Sequence, residues 1–130
     1  MEDPQKVVFR TEKPQLQLED DEHFSLITPF VVKIDESLLV VPAGFITDFD
    51  SVPKIPFAYL MLDGSGKRSA LMHDFLYSVE SPPEFKNLGR RWADRAFWRG
   101  MLDEGLDQGV ADAKYAGVRL GGESHWKTKP

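Results

Sequence analysis

Asp48, His73, Asp74 and Asp94 are the side chains of this sequence best suited to proton transfer or metal ligation. One imidazole and three carboxylates suit zinc, manganese or magnesium, and a metal with an open coordination position would activate water for hydrolysis. In that arrangement Asp48, His73 and Asp94 would be the ligands, and Asp74 or Tyr77 would assist proton transfer. Spacing does not specify the site, because no His-x-x-x-His or Glu-x-x-His repeat accompanies it. The same residues also suit a closed polar network with no catalysis. Asp48 would tie down the turn before Pro53 through its own backbone, Asp94 would accept from His73, and Tyr77 would complete the set. Both readings stand at this level.

Other chemistries fit less well. A Ser51-His73-Asp94 triad lacks the nucleophile-elbow context around Ser51. Asp48 with Asp94 would serve a glycosidase only at a carboxylate separation that sequence does not reveal. The run "DGSGKRS" resembles part of a phosphate-binding loop, but Met61 stands at the first glycine position and Arg68 where the hydroxyl belongs. A glycine turn before a helix explains it. His23 and His125 lie in loop-like contexts and are poor ligand candidates.

The helix expected from about Lys67 to Val79 carries two of the key residues. On a wheel of about 100° per residue, Leu71, Met72, Phe75, Leu76 and Val79 gather on one face, and Ala70, His73, Asp74 and Tyr77 on the other. An exposed helix face normally holds Lys, Glu or Gln, yet Asp74 is the one formal charge between Ala70 and Val79. The second face is therefore covered by another element or lines a cleft. On the next helix, about Leu88 to Glu104, Asp94 lies at the margin of an apolar stripe formed by Ala93, Phe97 and Met101, flanked by Arg91 and Arg95. A carboxylate there needs a donor or a metal, because burying it unpaired costs several kcal/mol. His73 is the partner of the right kind.

These residues must be held by an ordinary single domain. At 130 residues and 42% hydrophobic, the chain can bury one core. The N-terminal half reads as strands, "KVVFR", "HFSLITPFVVKI" and "SLLVVPAGFIT", with a hairpin across Asp35-Glu36. Pro29 and Pro42 cannot donate to a ladder and belong at bulges, strand ends or an edge. The acidic run Glu19 to Glu22 reads as a solvated loop. Pro82 and Pro83 interrupt the first helix, Gly105 ends the second, and a third runs from about Asp107 to Leu120 with Asp107 as N-cap and Ala111, Tyr115 and Val118 as its apolar stripe. The expected architecture is α+β: a small antiparallel sheet packed against about three helices, in a single domain over residues 1–122 with a mobile tail at 123–130, where Trp126 can dock.

The formal charge of −5 argues against a nucleic acid phosphate partner. Without cysteine, thiolate metal sites and a cysteine nucleophile are excluded. No apolar run approaches the ~20 residues of a membrane span, and the start "MEDPQKVVFR" lacks the pattern of a signal peptide. A protein made in the cytoplasm is expected.

The order Gly44-Phe45-x-Thr47-Asp48-Phe49-x-Ser51-Val52-Pro53, His73-Asp74-x-Leu76-Tyr77, Ala93-Asp94-x-x-Phe97 and Val118-Arg119 resembles the phage and prophage family catalogued as domain of unknown function 1353. The resemblance spans about Val40 to Gly121. It implies a protein encoded by a tailed bacteriophage or a prophage, made in the host cytoplasm; incorporation in the virion is expected from features suited to docking, the flexible ends, the "SPPEF" loop and the aromatic Trp98 and Trp126. Other phage structural proteins would be its partners. Asp48, His73, Asp74 and Asp94 fall on the family's polar positions, whereas Asp50 stands where the family commonly has a small residue. Two functions follow as expectations: a virion-associated tail or baseplate domain, or a small metal-dependent hydrolase acting on the bacterial cell envelope.

Overall fold

A computed structural model describes residues 2–21, 23–47 and 66–129. The described residues form two three-stranded antiparallel sheets followed by four α-helices, the expected α+β order with two sheets in place of one. The strands are β1 (Val7–Phe9), β2 (Leu16–Leu18), β3 (Phe24–Leu26), β4 (Phe30–Ile34), β5 (Ser37–Val41) and β6 (Ile46–Thr47). One sheet has the order β1-β4-β5 and the other β2-β3-β6.

Prolines divide the sheets. The run from His23 to Ile34 breaks before Pro29, leaving β3 in one sheet and β4 in the other. The run from Ser37 to Thr47 breaks at Pro42, where Gly44 adopts φ 92°, and β6 returns to the first of those sheets. A residue without an N–H ends each ladder, and the chain changes sheet there. The hairpin expected at Asp35-Glu36 joins β4 to β5 in the register Ile34↔Ser37. Asp35 takes φ 51°, a left-handed conformation that Asp tolerates. Its carboxylate accepts from the Lys6 and Gln5 amides at 2.9 and 3.0 Å, fastening the start of β1.

The helices are α1 (Lys67–Tyr77), α2 (Pro83–Lys86), α3 (Arg90–Asp103) and α4 (Gln108–Gly121), followed by a 3-10 turn at Glu123–His125. Pro83 occupies the first turn of α2, where its missing N–H is harmless. Gly105 ends the α3 region at φ 94°, and Asp107 caps α4 by accepting from the Gly109 amide at 3.0 Å. No side chain of its own caps α1. Glu104, just beyond α3, supplies the carboxylate instead. It accepts from the Ser69 amide at 3.2 Å, from the Ser69 hydroxyl, and from Arg68 Nε at 2.9 Å. An anion at a helix N-terminus is favoured by the unpaired amides and the helix dipole.

The core lies between the sheets and α1, with α3 packed across α1. Phe30, Val32, Ile34, Leu39 and Val41 from the β1-β4-β5 sheet are buried, as are Leu71, Met72, Phe75 and Leu76 from α1 and Ala96, Phe97 and Met101 from α3. Phe45 meets Phe75 edge to face at 5.1 Å. At Gly100 a Cβ would come within 3.0 Å of Ser69 Oγ and 3.2 Å of the Phe9 ring, so the absence of a side chain brings α3 against α1 and β1.

Candidate functional site

α1 is buried almost all round, which explains its shortage of charge. The face carrying His73 and Tyr77 is covered by α3, and both residues are buried with Asp94. Asp94 lies on the buried side of α3 with Ala93 and Phe97, so helical periodicity aims a carboxylate into an otherwise apolar contact. The imidazole sits between aromatic rings, with centroids 4.2 Å from Tyr77 and 4.7 Å from Phe97.

Both oxygens of Asp94 are engaged. His73 Nε2 lies 2.7 Å from Oδ1, and the Tyr77 hydroxyl donates to the same oxygen at 2.5 Å. Arg119 Nη1 donates to Oδ2 at 2.7 Å, and Arg90 Nη1 stands 3.5 Å from it. Arg90 also donates to the Tyr77 oxygen at 3.1 Å and to the carbonyls of Val118 and Arg119 at 3.1 and 3.3 Å. One carboxylate thereby joins α1, α3 and the end of α4. His73 and Asp94 are both 0% exposed.

Burial by itself would push the Asp94 carboxyl up. The hydrogen bonds from His73, Tyr77 and Arg119 outweigh it and hold the group below the ordinary value of 3.8. Asp94 is therefore an anion, and the facing imidazole nitrogen carries a proton and donates. Tyr77 moves the other way. Burial, reinforced by its hydrogen bond to Asp94 and that group's charge, raises the phenol above its ordinary value of 10.0.

The C-terminal segment closes this cluster. Gly122 packs so tightly that a Cβ would stand 2.5 Å from the Val118 carbonyl oxygen and 2.8 Å from the Tyr77 hydroxyl. The Lys127 amide donates to the Tyr77 carbonyl at 2.8 Å, and the Trp126 ring meets the Tyr77 ring edge on at 5.1 Å. Lys86 lies 3.8 Å above Trp126 and donates to the Leu76 carbonyl at 2.9 Å. Burial pushes its ammonium down to about 8.

The sequence-predicted residues divide into separate groups. His73, Asp94 and Tyr77 meet in one cluster. Asp74 accepts instead from the Thr47 hydroxyl on β6, tying α1 to the second sheet. Asp48, Asp50 and Ser51 lie outside the described residues. Among the described residues, no three His, Asp or Glu side chains are grouped so as to hold a metal ion. His23 bonds to Asp20 at 2.9 Å on the surface. Arg91 and Arg95, which flank Asp94 in sequence, reach Asp3 at 2.9 and 3.3 Å.

Arg90 and Arg119 supply the positive charge, and sequence reasoning about Asp94 did not select them. Arg90 precedes Asp94 by four positions, a spacing that places both on one helix face. That signal was available. Arg119 is distant in sequence, and only its place in the quoted motif pointed to it.

The family model described as protein of unknown function (DUF1353) matches residues 24–118. The chain belongs to this family. No curated protein and no solved structure matches it. The matched span contains His73, Tyr77, Arg90 and Asp94, and ends one residue before Arg119.

Proposed function

We propose that this member of an uncharacterised family is a virion-associated domain of a tailed bacteriophage or prophage. It would be attached to the tail or baseplate, with a buried network that holds its helices rather than performing catalysis. The carrying observation is the saturation of Asp94, whose two oxygens face His73, Tyr77, Arg119 and Arg90. A metal ion there would meet two guanidinium cations and an imidazole nitrogen whose proton occupies its lone pair. A general base must reach its substrate, and Asp94 is enclosed.

The phage assignment rests on the resemblance in the Gly44, His73, Ala93 and Val118 motifs. Its partners would be other phage structural proteins, with no direct nucleic acid contact and no membrane insertion. The chain would be made in the host cytoplasm and carried in the particle. Mass spectrometry of purified particles tests this. Reproducible recovery of the chain at fixed copy number supports the reading, and full-titre particles that lack it contradict the reading.

A second reading, a small metal-dependent hydrolase acting on the cell envelope, draws on Thr47. Its hydroxyl fastens the residue immediately before Asp48 to Asp74 on α1. Asp48, His73 and Asp94 would hold zinc, manganese or magnesium, and Asp74 or Tyr77 would move the proton. This reading requires Asp94 to exchange a guanidinium for a metal. Metal analysis with His73→Ala separates the two.

A further inference from the structure

The two edges of the β1-β4-β5 sheet differ in how their outward backbone groups are met. On β1 the Val7 amide donates to the Asp103 carboxylate at 2.8 Å, and α3 packs along the strand. On β5 the outward groups belong to Leu38 and Val40. The Val31 carbonyl accepts from the Arg10 amide at 2.9 Å, so Val31 turns its backbone toward β1. Val31 and Val40 are therefore a pair that exchanges no ladder hydrogen bond, and two residues along Lys33 and Leu38 are another. Among the described residues, β4 alone pairs with β5, and nothing bonds to the Leu38 or Val40 amide.

An exposed edge is ordinarily guarded by lysine, proline, a bulge or a covering element, because its unpaired N–H and C=O groups are a template for another strand. β5 reads SLLVV, without charge or proline, and keeps an unbroken one-to-one register with β4. Its edge residues Leu38 and Val40 are 53% and 46% exposed. The feature is an open hydrogen-bonding edge, with the apolar side chains beside it.

We propose that β5 pairs edge to edge with β5 of a second copy of this chain, antiparallel about a two-fold axis at Leu39, joining the two three-stranded sheets into one. This register sets Leu38 opposite Val40 of the second copy and Val40 opposite its Leu38, so each pair exchanges two N–H···O bonds and all the outward groups of both residues are used. A register centred on Val40 would set Pro42, which has no N–H, opposite Leu38. The exposed Leu38 and Val40 side chains meet in cross-strand pairs on the outer face. Lys33 then shares a row with Leu38 and with Val40 and Val31 of the other copy, and Glu36 lies opposite Pro42, so no charge of the hairpin meets a like charge. A strand of another protein would make the same bonds but bring an open edge of its own. Two copies close each other, because the edges that remain are the β1 edges already held by Asp103 and α3. The proposal stands apart from the virion reading.

One strand a side is smaller than the standard interface of about 20–30 residues a side, so the dimer is weak and concentration-dependent. Sedimentation velocity of the full chain should show the monomer mass at about 5 μM and a shift toward the dimer at about 500 μM. Val40→Pro removes an outward N–H, a position at which an edge strand tolerates proline, and should weaken association at least about tenfold with little change in Tm. Leu38→Lys should do the same through charge on the edge. The chain has no cysteine, so disulfides read the register. An oxidised mixture of Leu38→Cys and Val40→Cys chains should cross-link, and neither alone, because like positions lie about 9 Å apart, beyond the reach of a disulfide.

A monomer mass at about 500 μM overturns the proposal and leaves the edge to a strand of another protein. So does a dimer that both Val40→Pro and Leu38→Lys leave intact, or efficient cross-linking of Leu38→Cys with itself. Slow hydrogen exchange of the Leu38 and Val40 amides in the monomer at about 5 μM also overturns it, since the edge would then be covered within one chain. Recovery of the chain from particles is independent of all these outcomes, so failure of the edge and failure of the virion reading are distinguishable.

Discussion

Arg119 at the end of α4 donates to Oδ2 of Asp94 in the middle of α3 at 2.7 Å, joining a partly exposed guanidinium to a carboxylate that is itself fully buried. The fourth helix is thus bound to the same anion that orders the first. Removing either partner leaves the other's charge inadequately compensated. Asp94→Asn turns an amide donor toward a set of donors and is expected to cost about 3–5 kcal/mol. Arg119→Met is expected to cost about 1–3 kcal/mol, because the guanidinium is partly solvated and Arg90 remains. Urea unfolding of both variants and their double variant checks the values, with the double variant well short of additive.

The acid dependence follows from the direction of the Asp94 shift. Its folded pKa lies below the ordinary 3.8, so the stabilisation is fully present above that value and is lost as pH falls through the folded pKa. The gap in unfolding free energy between the unaltered protein and Asp94→Asn should be widest near neutral pH. It should narrow as pH falls below 3.8. A gap that widens on acidification would assign the anion elsewhere.

Tyr77 governs the alkaline side. Its folded pKa is raised above 10.0, so its contribution is complete below that pH and is lost as pH rises toward the folded value. Phenolate absorbance should show one of the chain's three tyrosines ionising only with unfolding. Tyr77→Phe should remove that late component and reduce the stability lost above pH 10.0.

Gly121 and Gly122 make an internally controlled pair. A Cβ on Gly122 would meet the Val118 carbonyl at 2.5 Å, whereas one on Gly121 meets nothing within 4 Å. Gly122→Ala is expected to cost about 1–3 kcal/mol through the displacement it forces at Tyr77 and Arg90. Gly121→Ala, inside the last turn of α4, should be neutral or stabilising by up to about 1 kcal/mol. Thermal unfolding of the two variants reads the contrast.

Much of this arrangement was legible in the residue pattern, and the exceptions have physical causes. The charge-poor face of α1 and the marginal position of Asp94 on α3 were enough to pair His73 with Asp94, because helical periodicity is a local property. The Asp35-Glu36 hairpin and the glycine and Asp107 helix boundaries are also local and lie where the turn chemistry puts them. The division into two sheets depends on strand partners, and strand-rich runs do not reveal that their halves pair with different neighbours. Leu16 to Leu18, just before the acidic run, forms β2, and three residues are too few for their alternation to mark a strand. The arginines that pair with Asp94 depend on tertiary contact in the same way. Arg91 and Arg95 are nearest to Asp94 in sequence but sit on the side of α3 that faces Asp3. The expected tail residue Trp126 packs on Tyr77 and under Lys86, a placement set by tertiary contact.

The central claim is that His73 and Asp94 hold the helices together as a hydrogen-bonded ion network and not as metal ligands. Elemental analysis of the protein purified without chelator, beside His73→Ala, tests it most directly. Neither protein should hold stoichiometric zinc, manganese or magnesium, and His73→Ala should be less stable by about 2–4 kcal/mol from the lost hydrogen bond and cavity. One equivalent of bound metal in the unaltered protein that disappears in His73→Ala would contradict it.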